Sequence, residues 1–383
     1  MTAKVFIQGD AYVGWETLTV SRSIEDAVST ASFSGPLRWP NDPNPTRIRP
    51  GDAVQIFDDD DQMLQGFGDA ISIDSEVDGE VVSVDARSDT ADLADCSVVT
   101  EPYAWKQVSM LDIARLLTLP YQVKVVDSSP PGTTSKPVDF RAELGEPVFD
   151  AIERLAQDAG VLVTDNGKGE LVVAKSGVID DLQDLPTLKY GVNVTSASGV
   201  FRHDQRYRFY RIYGQRPGNN ADSGSAVSLQ RVIVEDPEVD RFRVLALSSS
   251  NMANLDQLKA RGTWEAVTRA GRSVELSYGV VGWRRPDGHL WAPGQIVLVD
   301  DAPRAVNAAM IISSVTWSED QAGQTARLSV APSEGFNLMA TVDEIDADTG
   351  TSQKLSKPVT PGSDFGLWFT AEQVAAIKAR SGK

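Results

Sequence analysis

The first hundred residues alternate apolar and polar side chains with a period of two. The alternation runs through ETLTVSRS, DAVQIF, DAISID and EVVSVDARS, which are separated by clusters of Gly, Pro and Asp. Because successive side chains of a strand point to opposite faces, this pattern predicts an antiparallel β-barrel or sandwich over residues 1–98. Four aspartates at 58–61 fall at a predicted hairpin tip. They lack the spacing and the closing Glu of a calcium loop, so we predict a solvated turn.

Between residues 99 and 182 the apolar spacing becomes helical. SMLDIARLLTLP opens with a capping pair, Ser109 and Asp112, and EPVFDAIERLAQDAG places Pro147 at the helix start and Gly160 at its end. The predicted buried stripes are Ile113, Leu116 and Leu117 in the first helix, and Val148, Ile152, Leu155 and Ala159 in the second. These helices and the strands beside them predict a small α+β domain.

A hairpin follows the second helix. Its strands VLVTD and ELVVAK are joined by NGKG, in which Gly167 and Gly169 are both candidates for a positive φ. The two glycines resemble a fragment of a dinucleotide-binding fingerprint. The third glycine is missing and a strand follows in place of a helix, so the sequence favours a turn.

Strands resume over residues 183–336, with RYRFYRIYG, SLQRVIVED, RFRVLALS and RSVELSYGVVGW. In the last of these, Val274, Leu276, Tyr278 and Val280 occupy alternate positions and predict a buried face. One helix interrupts the strands, from a cap at Asn254 to Gly271. Its predicted core residues are Leu255, Leu258 and Val267, and Gly262 is expected to cost some helix stability. The sequence therefore predicts a second β-barrel domain with an inserted helix.

The last segment, residues 337–383, begins as a polar, Pro- and Gly-punctuated linker. It ends in DFGLWFTAEQVAAIKAR, where Thr370 and Gln373 predict the start of a short helix. Leu367, Trp368 and Phe369 precede that helix and are too few to form a core. We predict that these three residues dock on a partner.

Two stretches of the chain share a layout. RPGDAVQIFDD begins at Arg49 and APGQIVLVDD at Ala292, and each combines Pro-Gly, an alternating strand and acidic residues. Downstream, Gly79 and Gly323 each precede another strand. The shift between the copies is 243 residues for Pro50 and Pro293, and 244 for the two glycines. Pro-Gly strand starts are common in β proteins, but the constant shift favours two copies of one β unit.

The densest collection of chemical groups is GWRRPDGHLWAPG, residues 282–294. The sequence predicts a turn flanked by two strands, with Trp283 and Trp291 as neighbours. His289 acts as a base only beside a nucleophile or an orienting carboxylate, and no hydrolase motif supplies one. With His203 as the other histidine, a catalytic triad or a His-rich metal site is disfavoured, and we predict neither catalysis nor a cofactor.

Composition narrows the classes further. The 383 residues suffice for several domains, and a formal charge of -18 disfavours binding to phosphate backbones. The single cysteine, Cys96, rules out an intramolecular disulfide and is predicted to be buried. The N-terminus shows no secretory signal, and no stretch is apolar enough for a membrane span.

Two other activities stay open at this point. The 54 acidic residues allow many carboxylate pairs for glycoside hydrolysis, although their spread over turns and helix faces favours solvation. RYRFYRIYG interleaves aromatic and Arg residues, as single-stranded nucleic-acid binders do. The net charge and the regular alternation favour a structural strand.

Five motifs resemble the baseplate hub (tail) proteins of Mu-like contractile-tailed phages, which are related to the late-control hub family. They are VSRSIEDA at 20–27, RPGDAVQI at 49–56, ARSDTADLADCSV at 86–98, LGEPVFDAIERLAQDAGVLV at 144–163 and AGRSVELSYGVVGWRRPDGHLWAPGQIVLV at 270–299. They follow the family order over roughly residues 1–336.

The resemblance implies a non-enzymatic homotrimer in which each subunit contributes two similar β-barrels to a pseudo-sixfold ring. Such a ring would join the sixfold tail tube, or a tube-initiator protein, to the trimeric spike. Baseplate wedge proteins would contact it, and the tape measure protein and DNA would pass through its channel. Sequence-specific nucleic-acid binding and stable membrane insertion are not implied. The expected location is the virion tail baseplate, assembled in the host cytoplasm.

Two alternatives remain. One is a tail-associated cell-wall hydrolase or carbohydrate-binding module. The other is the hub of a tailocin-like particle, which the same motifs fit.

Overall fold

The computed structural model describes residues 3–12, 14–37, 48–76, 79–174, 185–215, 229–249 and 255–336. The strands are β1 (Lys4–Ile7), β2 (Asp10–Tyr12), β3 (Thr17–Ser23), β4 (Thr30–Pro36), β5 (Ala53–Asp58), β6 (Asp61–Glu76), β7 (Gly79–Ser88), β8 (Ala104–Ser109), β9 (Val125–Asp127), β10 (Pro137–Arg141), β11 (Leu162–Asp165), β12 (Leu171–Ala174), β13 (Thr187–Lys189), β14 (Val194–Phe201), β15 (Phe209–Gln215), β16 (Leu229–Glu235), β17 (Val244–Ser249), β18 (Val274–Val281), β19 (Ile296–Asp301), β20 (Val306–Asp320) and β21 (Gly323–Ala331). The helices are α1 (Ala91–Asp95), α2 (Met110–Thr118), α3 (Val148–Ala159) and α4 (Leu255–Gly271).

Strands dominate these residues, so the predicted α+β, predominantly β fold class is confirmed. None of the helices in the described ranges is long and apolar enough to cross a membrane.

A large sheet organises the molecule. In the described part of the chain, thirteen strands form one sheet, in the order β14-β18-β21-β20-β3-β4-β7-β6-β5-β1-β2, with β19 beside β20 and β13 beside β19. Strands β3-β4-β7-β6-β5 make up unit 1, and strands β14-β18-β21-β20-β19 make up unit 2. Neighbours within both units are antiparallel and follow the same order. The units are therefore two copies of one strand arrangement, whereas closure of each into a barrel stays a prediction.

The two units meet where β20 pairs with β3. Antiparallel pairs run from Ser314 opposite Ser23 to Glu319 opposite Leu18. The sheet and its hydrophobic core thus continue from one unit into the other. The core includes Phe33 of unit 1 and Tyr278 and Trp317 of unit 2. The sequence predicted two β domains but did not predict this continuity.

The backbone confirms the predicted repeat. Gly51 and Gly294 take matching φ values of +89° and +85°. The N–H of Gly51 donates to Gly68 O at 2.7 Å, and the N–H of Gly294 donates to Ile312 O at 2.8 Å. The same bulge interrupts the ladder directly after Gly68 in β6 and after Ile312 in β20. Since positive φ values favour Gly, the repeated Pro-Gly marks a repeated turn.

The register of the copies also agrees. In unit 1, β6 pairs with β7 from Ala70↔Asp85 to Glu76↔Gly79. In unit 2, β20 pairs with β21 from Ser314↔Ser329 to Asp320↔Gly323. Every residue in this stretch has its counterpart 244 positions later, so equivalent positions can be assigned one by one.

An α+β domain of residues 91–174 follows unit 1. The Ser109 hydroxyl accepts a hydrogen bond from the Asp112 N–H at 3.2 Å, and Gly160 ends α3 with a left-handed φ of +66°, as predicted. The predicted stripes are buried except for Leu116, which is 41% exposed, and Ala159, which is half-buried. Leu116 lies one position from buried Leu117, about 100° around the helix, and so faces solvent.

Cys96 is half-buried, so the prediction of a buried side chain was wrong. It follows α1, at a point where the chain leaves the core between buried Leu93 and Val98.

A small sheet, β16-β15-β17, packs against α4. Tyr210, Ile212 and Leu258 form the buried contact. Gly262 of α4 has a packing role, because an added Cβ would lie 2.7 Å from the Val234 side chain. The prediction that Leu255 and Val267 are core residues of the helix was wrong. Leu255 is 52% exposed at the first turn, and Val267 is half-buried. The predicted cap Asn254 lies outside the described residues.

Candidate functional site

The stretch 282–294 forms a tight turn that closes on unit 2. The N–H of Gly288 donates to Arg285 O at 2.9 Å, and the N–H of Trp291 donates to Trp283 O at 3.0 Å. Both Trp side chains are buried, and the Trp283 indole N–H is shared between the carbonyls of Ser318 and Thr325. The prediction that the two Trp residues are neighbours is confirmed. Their role is packing.

Both histidines lie at the surface of the described structure. His289 is exposed, and its backbone N–H donates to Asp287 at 3.1 Å, while Arg285 forms a 2.7 Å ion pair with the same Asp287. His203 is exposed in the loop after β14. Within the ranges that the structure describes, no three His, Cys, Asp or Glu side chains are placed to hold a metal ion.

Arg284 connects this turn to the aspartates at 58–61. Its Nη2 lies 2.8 Å from Asp58 Oδ2, and its Nη1 lies 2.7 Å from Asp61 Oδ2. Nη2 also donates to the Asp58 carbonyl at 2.9 Å. Asp58 is 2% exposed, so the predicted solvated turn is correct as a hairpin tip but wrong for this side chain. The tip of unit 1 is held by a cation of unit 2.

Asp301 occupies the equivalent strand end in unit 2. It is fully buried and accepts hydrogen bonds of 2.9 Å from the Tyr278 hydroxyl and from Arg304 Nη1. Burial and then the bond to Asp301 raise the pKa of Tyr278 above its ordinary value. Tyr278 therefore stays a neutral donor, and the group is a structural network.

Asp165, at the end of β11, attaches the α+β domain to unit 1. Its carboxylate accepts from the Ser29 N–H at 2.8 Å and from the Ser29 hydroxyl at 2.7 Å. Burial raises the pKa of Asp165, while hydrogen bonds from Ser88 and Ser29 and the charge of Arg22 act in the opposite direction. No motif marks Asp165 in the sequence, because its partners lie far away in the chain.

The glycines of the adjoining turn also contribute to this attachment. An added Cβ at Gly167 would lie 2.0 Å from Gln62 O. Gly169 has the predicted left-handed φ, +69°, but Gly167 is absent from the positive-φ positions of the described chain. The turn is therefore confirmed, and Gly167 is required by close approach instead of by φ.

Two of the three arginines in RYRFYRIYG, Arg206 and Arg208, pair with carboxylates, whereas Arg211 Nε is buried without a hydrogen-bond partner among the described residues. Arg206 is buried and forms a bidentate contact with Asp236, at 2.8 Å for the shortest bond, and also contacts Glu238. Arg208 pairs with Glu235 at 3.0 Å. Arginines that are neutralised by carboxylates in this way favour a structural role over stacking on single-stranded bases.

Two strand edges are exposed. Ile73 on β6 is 56% exposed, and Val200 and Phe201 on β14 are each 45% exposed. In the described residues, the segment 71–75 of β6 pairs with no strand other than β7, and β14 pairs with no strand other than β18. Strand β14 also forms an isolated bridge from Val194 to Tyr190, and Arg304 Nη2 lies 2.5 Å from Ala197 O. Open, apolar edges of this kind are characteristic of surfaces that pair with another chain.

The predicted docking residues Leu367, Trp368 and Phe369 lie outside the described residues, as does the rest of 337–383. Their role stays a prediction. The residues that join the parts of the molecule, Arg284 and Asp165, were not predicted in that role.

The known proteins that this chain resembles are phage baseplate and tail proteins. The family model for the second domain of gp44-like baseplate hub proteins matches residues 90–175, and the model for the fourth domain of the Mu phage baseplate assembly protein GpP matches residues 255–339. The baseplate hub protein gp44 of Escherichia phage Mu is 29% identical over 363 residues, which are 92% of this chain and 93% of that protein.

Two solved structures share the fold. The 43 kDa tail protein of prophage MuSo2 from Shewanella oneidensis has a TM-score of 0.76 at 24% identity, over 88% of this chain and 99% of that one. The tail protein from Neisseria meningitidis MC58 has a TM-score of 0.71 at 18% identity, over 88% and 98% of the two chains. The motifs at 144–163 and 270–299 lie inside the two matched ranges. The resemblance of this chain to the baseplate hub proteins of Mu-like phages is thereby confirmed.

Proposed function

We propose that this protein is a structural baseplate hub of a contractile phage tail, located in the virion baseplate. The observation that carries the proposal is the pair of units with one strand order, joined through β3 and β20. A chain with two near-equivalent units presents six of them when it forms a homotrimer. Such a ring matches a sixfold tail tube on one face and a trimeric spike on the other.

The charge of the chain supports a channel in this ring. With a formal charge of -18, the protein repels the phosphate backbone, so DNA would pass without adhering. The tape measure protein would use the same channel before the DNA. Wedge proteins would contact the outside of the ring, and assembly would take place in the host cytoplasm.

We propose a structural role without catalysis. The arginines, aspartates and tyrosine described above serve as hydrogen-bonded links between parts of the fold. Purified protein should leave a peptidoglycan zymogram uncleared. Clearing that disappears on substitution of a carboxylate would contradict this part of the proposal.

Size-exclusion chromatography with light scattering tests the ring. Three chains per particle are expected at micromolar concentration, with a mass near three times 41.4 kDa. A stable single chain under these conditions would contradict the proposal, because the pseudo-sixfold match requires three copies.

The division into 1–98, 99–182, 183–336 and 337–383 stays a prediction, as does docking by Leu367, Trp368 and Phe369. Truncation after Pro361 should leave the ring intact and weaken binding to a neighbouring baseplate protein. Unaltered binding would show that the three residues are not the anchor.

A further inference from the structure

The junction between units 1 and 2 has a counterpart in unit 1 that no strand of the described residues covers. In unit 2, residues 315–319 of β20 are covered by β3. The shift of 244 residues places their counterparts at 71–75 of β6. Val315 and Trp317 are 0% and 1% exposed, whereas their counterparts are half-buried Ile71 and Ile73, which is 56% exposed. The same position is thus covered by a strand in unit 2, whereas in unit 1 the described ranges place no strand beside it.

The strand that would cover this edge is also present in the molecule. In unit 1, β3 lies beside β4 with Leu18 opposite Phe33. In unit 2, β14 lies beside β18 with Ala197 opposite Tyr278. Phe33 and Tyr278 are equivalent, because they pair with Val84 and Leu328, which are 244 residues apart. Strand β14 is therefore the counterpart of β3. Among the described residues no strand pairs with its outer edge, where Arg304 Nη2 donates to Ala197 O at 2.5 Å.

We infer that residues 71–75 of one copy pair with residues 197–201 of a second copy, antiparallel and in the register of the β3–β20 junction. This inference rests on the proposed ring and specifies the contact that closes it. The register carried over from β3–β20 is Ile71↔Phe201, Ser72↔Val200, Ile73↔Gly199, Asp74↔Ser198 and Ser75↔Ala197. The contact joins two different surfaces, β6 of one copy and β14 of the next. Each copy therefore uses its β6 edge on one side and its β14 edge on the other, as in a cyclic ring.

Side-chain sizes and polarity agree with this register. Trp317 lies opposite the smaller Val20 at the internal junction, and Ile73 would lie opposite Gly199. An added Cβ at Gly199 would lie 2.8 Å from the Leu276 side chain and 3.2 Å from Arg304 Cδ, so side chains of the same chain pack over this glycine and exclude a larger residue. Ile71 would meet Phe201, which is 45% exposed in the single chain. Neither segment contains Pro or Lys, the residues that commonly block pairing at strand edges.

Cysteine pairs test the register. In a Cys96→Ser background, Asp74→Cys combined with Ser198→Cys should yield covalently linked trimers on mild oxidation, seen on a non-reducing gel. The matched reference is Ser318→Cys with Thr19→Cys, the equivalent pair within one chain, which should lose its thiols while migrating as a single chain. The off-register control is Asp74→Cys with Val200→Cys, which should link at least about tenfold less, because the paired Cα atoms are too far apart.

Each outcome bears on a different claim. Three-chain particles without links at 74 and 198, while the reference pair oxidises, would overturn the register and leave the ring standing. Equal linking by the off-register pair would also overturn it. Single chains in light scattering of the background protein would overturn the ring itself.

A charge at the edge provides a second measurement. Ile73→Arg should raise the dissociation constant of the particle at least about tenfold, because the cation would be buried opposite Gly199. The thermal midpoint of the isolated chain should not change, since Ile73 is exposed there. Val281→Arg, at a 73% exposed position of β18 away from both edges, is the matched control and should assemble normally. Unchanged assembly of Ile73→Arg would contradict the pairing.

Discussion

Units 1 and 2 share a backbone and differ in what surrounds it. Both use the same strand order, the same Pro-Gly turn and the same bulge, yet Trp317 is buried against β3 while its counterpart Ile73 is exposed. The backbone pattern is therefore compatible with a covered and with an open edge. The side chain at the edge differs according to whether a partner strand lies beside it in the described part of the chain.

The strand-end acids show the same divergence. Asp301 binds local partners, Tyr278 and Arg304, through its Oδ2, whereas Asp58 depends on Arg284, more than two hundred residues away. A repeated acidic residue at the end of a strand thus takes part in different networks. In unit 1 it links the units, and in unit 2 it stabilises its own unit.

The largest effect should come from removing Trp317, which is buried at the β20 edge while its counterpart at the β6 edge is exposed. Trp317→Ala should lower the free energy of unfolding by about 3–5 kcal/mol, measured by urea denaturation. The indole is 1% exposed and Arg22 lies over it, 5.4 Å from the ring centroid. Its N–H has no hydrogen-bond partner in the described part of the chain, so lost packing accounts for the cost.

The matched control is Val281→Ala, at a 73% exposed position of β18, which should change stability by less than about 0.5 kcal/mol. A loss for Trp317→Ala no larger than this control would show that the β3–β20 junction is not a packed core.

The attachment of the α+β domain to unit 1 comes next. Asp165→Ala should cost about 2–4 kcal/mol, because it leaves the buried Ser29 N–H without its carboxylate and removes the charge that faces Arg22. Hydrogen exchange should rise in β11 and β12 together with β3. Asp85→Ala, at an exposed position of β7, is the control. Exchange confined to the hairpin would show that Asp165 stabilises only its own turn.

The sequence predicted what depends on neighbouring residues in the chain. The alternation of Val274, Leu276, Tyr278 and Val280 predicted β18 and its buried face, and all four side chains are buried. The capping pair at Ser109 and the helix-ending Gly160 predicted α2 and α3 for the same reason. Local patterns are sufficient where the stabilising contacts are local.

Contacts between distant segments could not be predicted in this way. Nothing within a few residues of Arg284 indicates that it binds Asp58, and the burial of Trp317 depends on a strand that begins at residue 17. The exposure of Leu116 and Leu255 likewise depends on which neighbour covers each helix face. The candidate surfaces became visible only when the two units could be superposed position by position.

The link between the units should show a smaller effect. Arg284→Ala should cost about 1–2 kcal/mol, because it leaves the buried Asp58 carboxylate without its cation. Arg284→Lys should recover only part of this, since an ammonium lacks the fork that reaches Asp58 and Asp61 together. Arg285→Ala is the adjacent control, because the ion pair that Arg285 forms with Asp287 is at an exposed position, and it should cost less than about 0.5 kcal/mol. If Arg284→Ala and Arg285→Ala lose the same unfolding free energy, Arg284 does not stabilise the contact between the units. Asp58 would then not differ from Asp301 in linking the two units.

The smallest expected effect concerns an ion pair inside the α+β domain, between Lys124 and Glu170. This pair contributes to the stability of the domain itself and not to its attachment to unit 1. Lys124 binds Glu170 at 2.6 Å, and this contact, together with the Asn166 amide, lowers the pKa of Glu170 below its ordinary value. A lowered pKa in the folded state adds stability above the unfolded pKa of about 4.3 and loses it as the pH falls through the folded pKa. Glu170→Gln should therefore be less stable than the parent by up to about 1 kcal/mol at pH 7, and the difference should shrink below about pH 4. In a Lys124→Gln background the pH dependence should largely vanish. A difference that persists unchanged at low pH would show that the pair contributes through packing instead of charge.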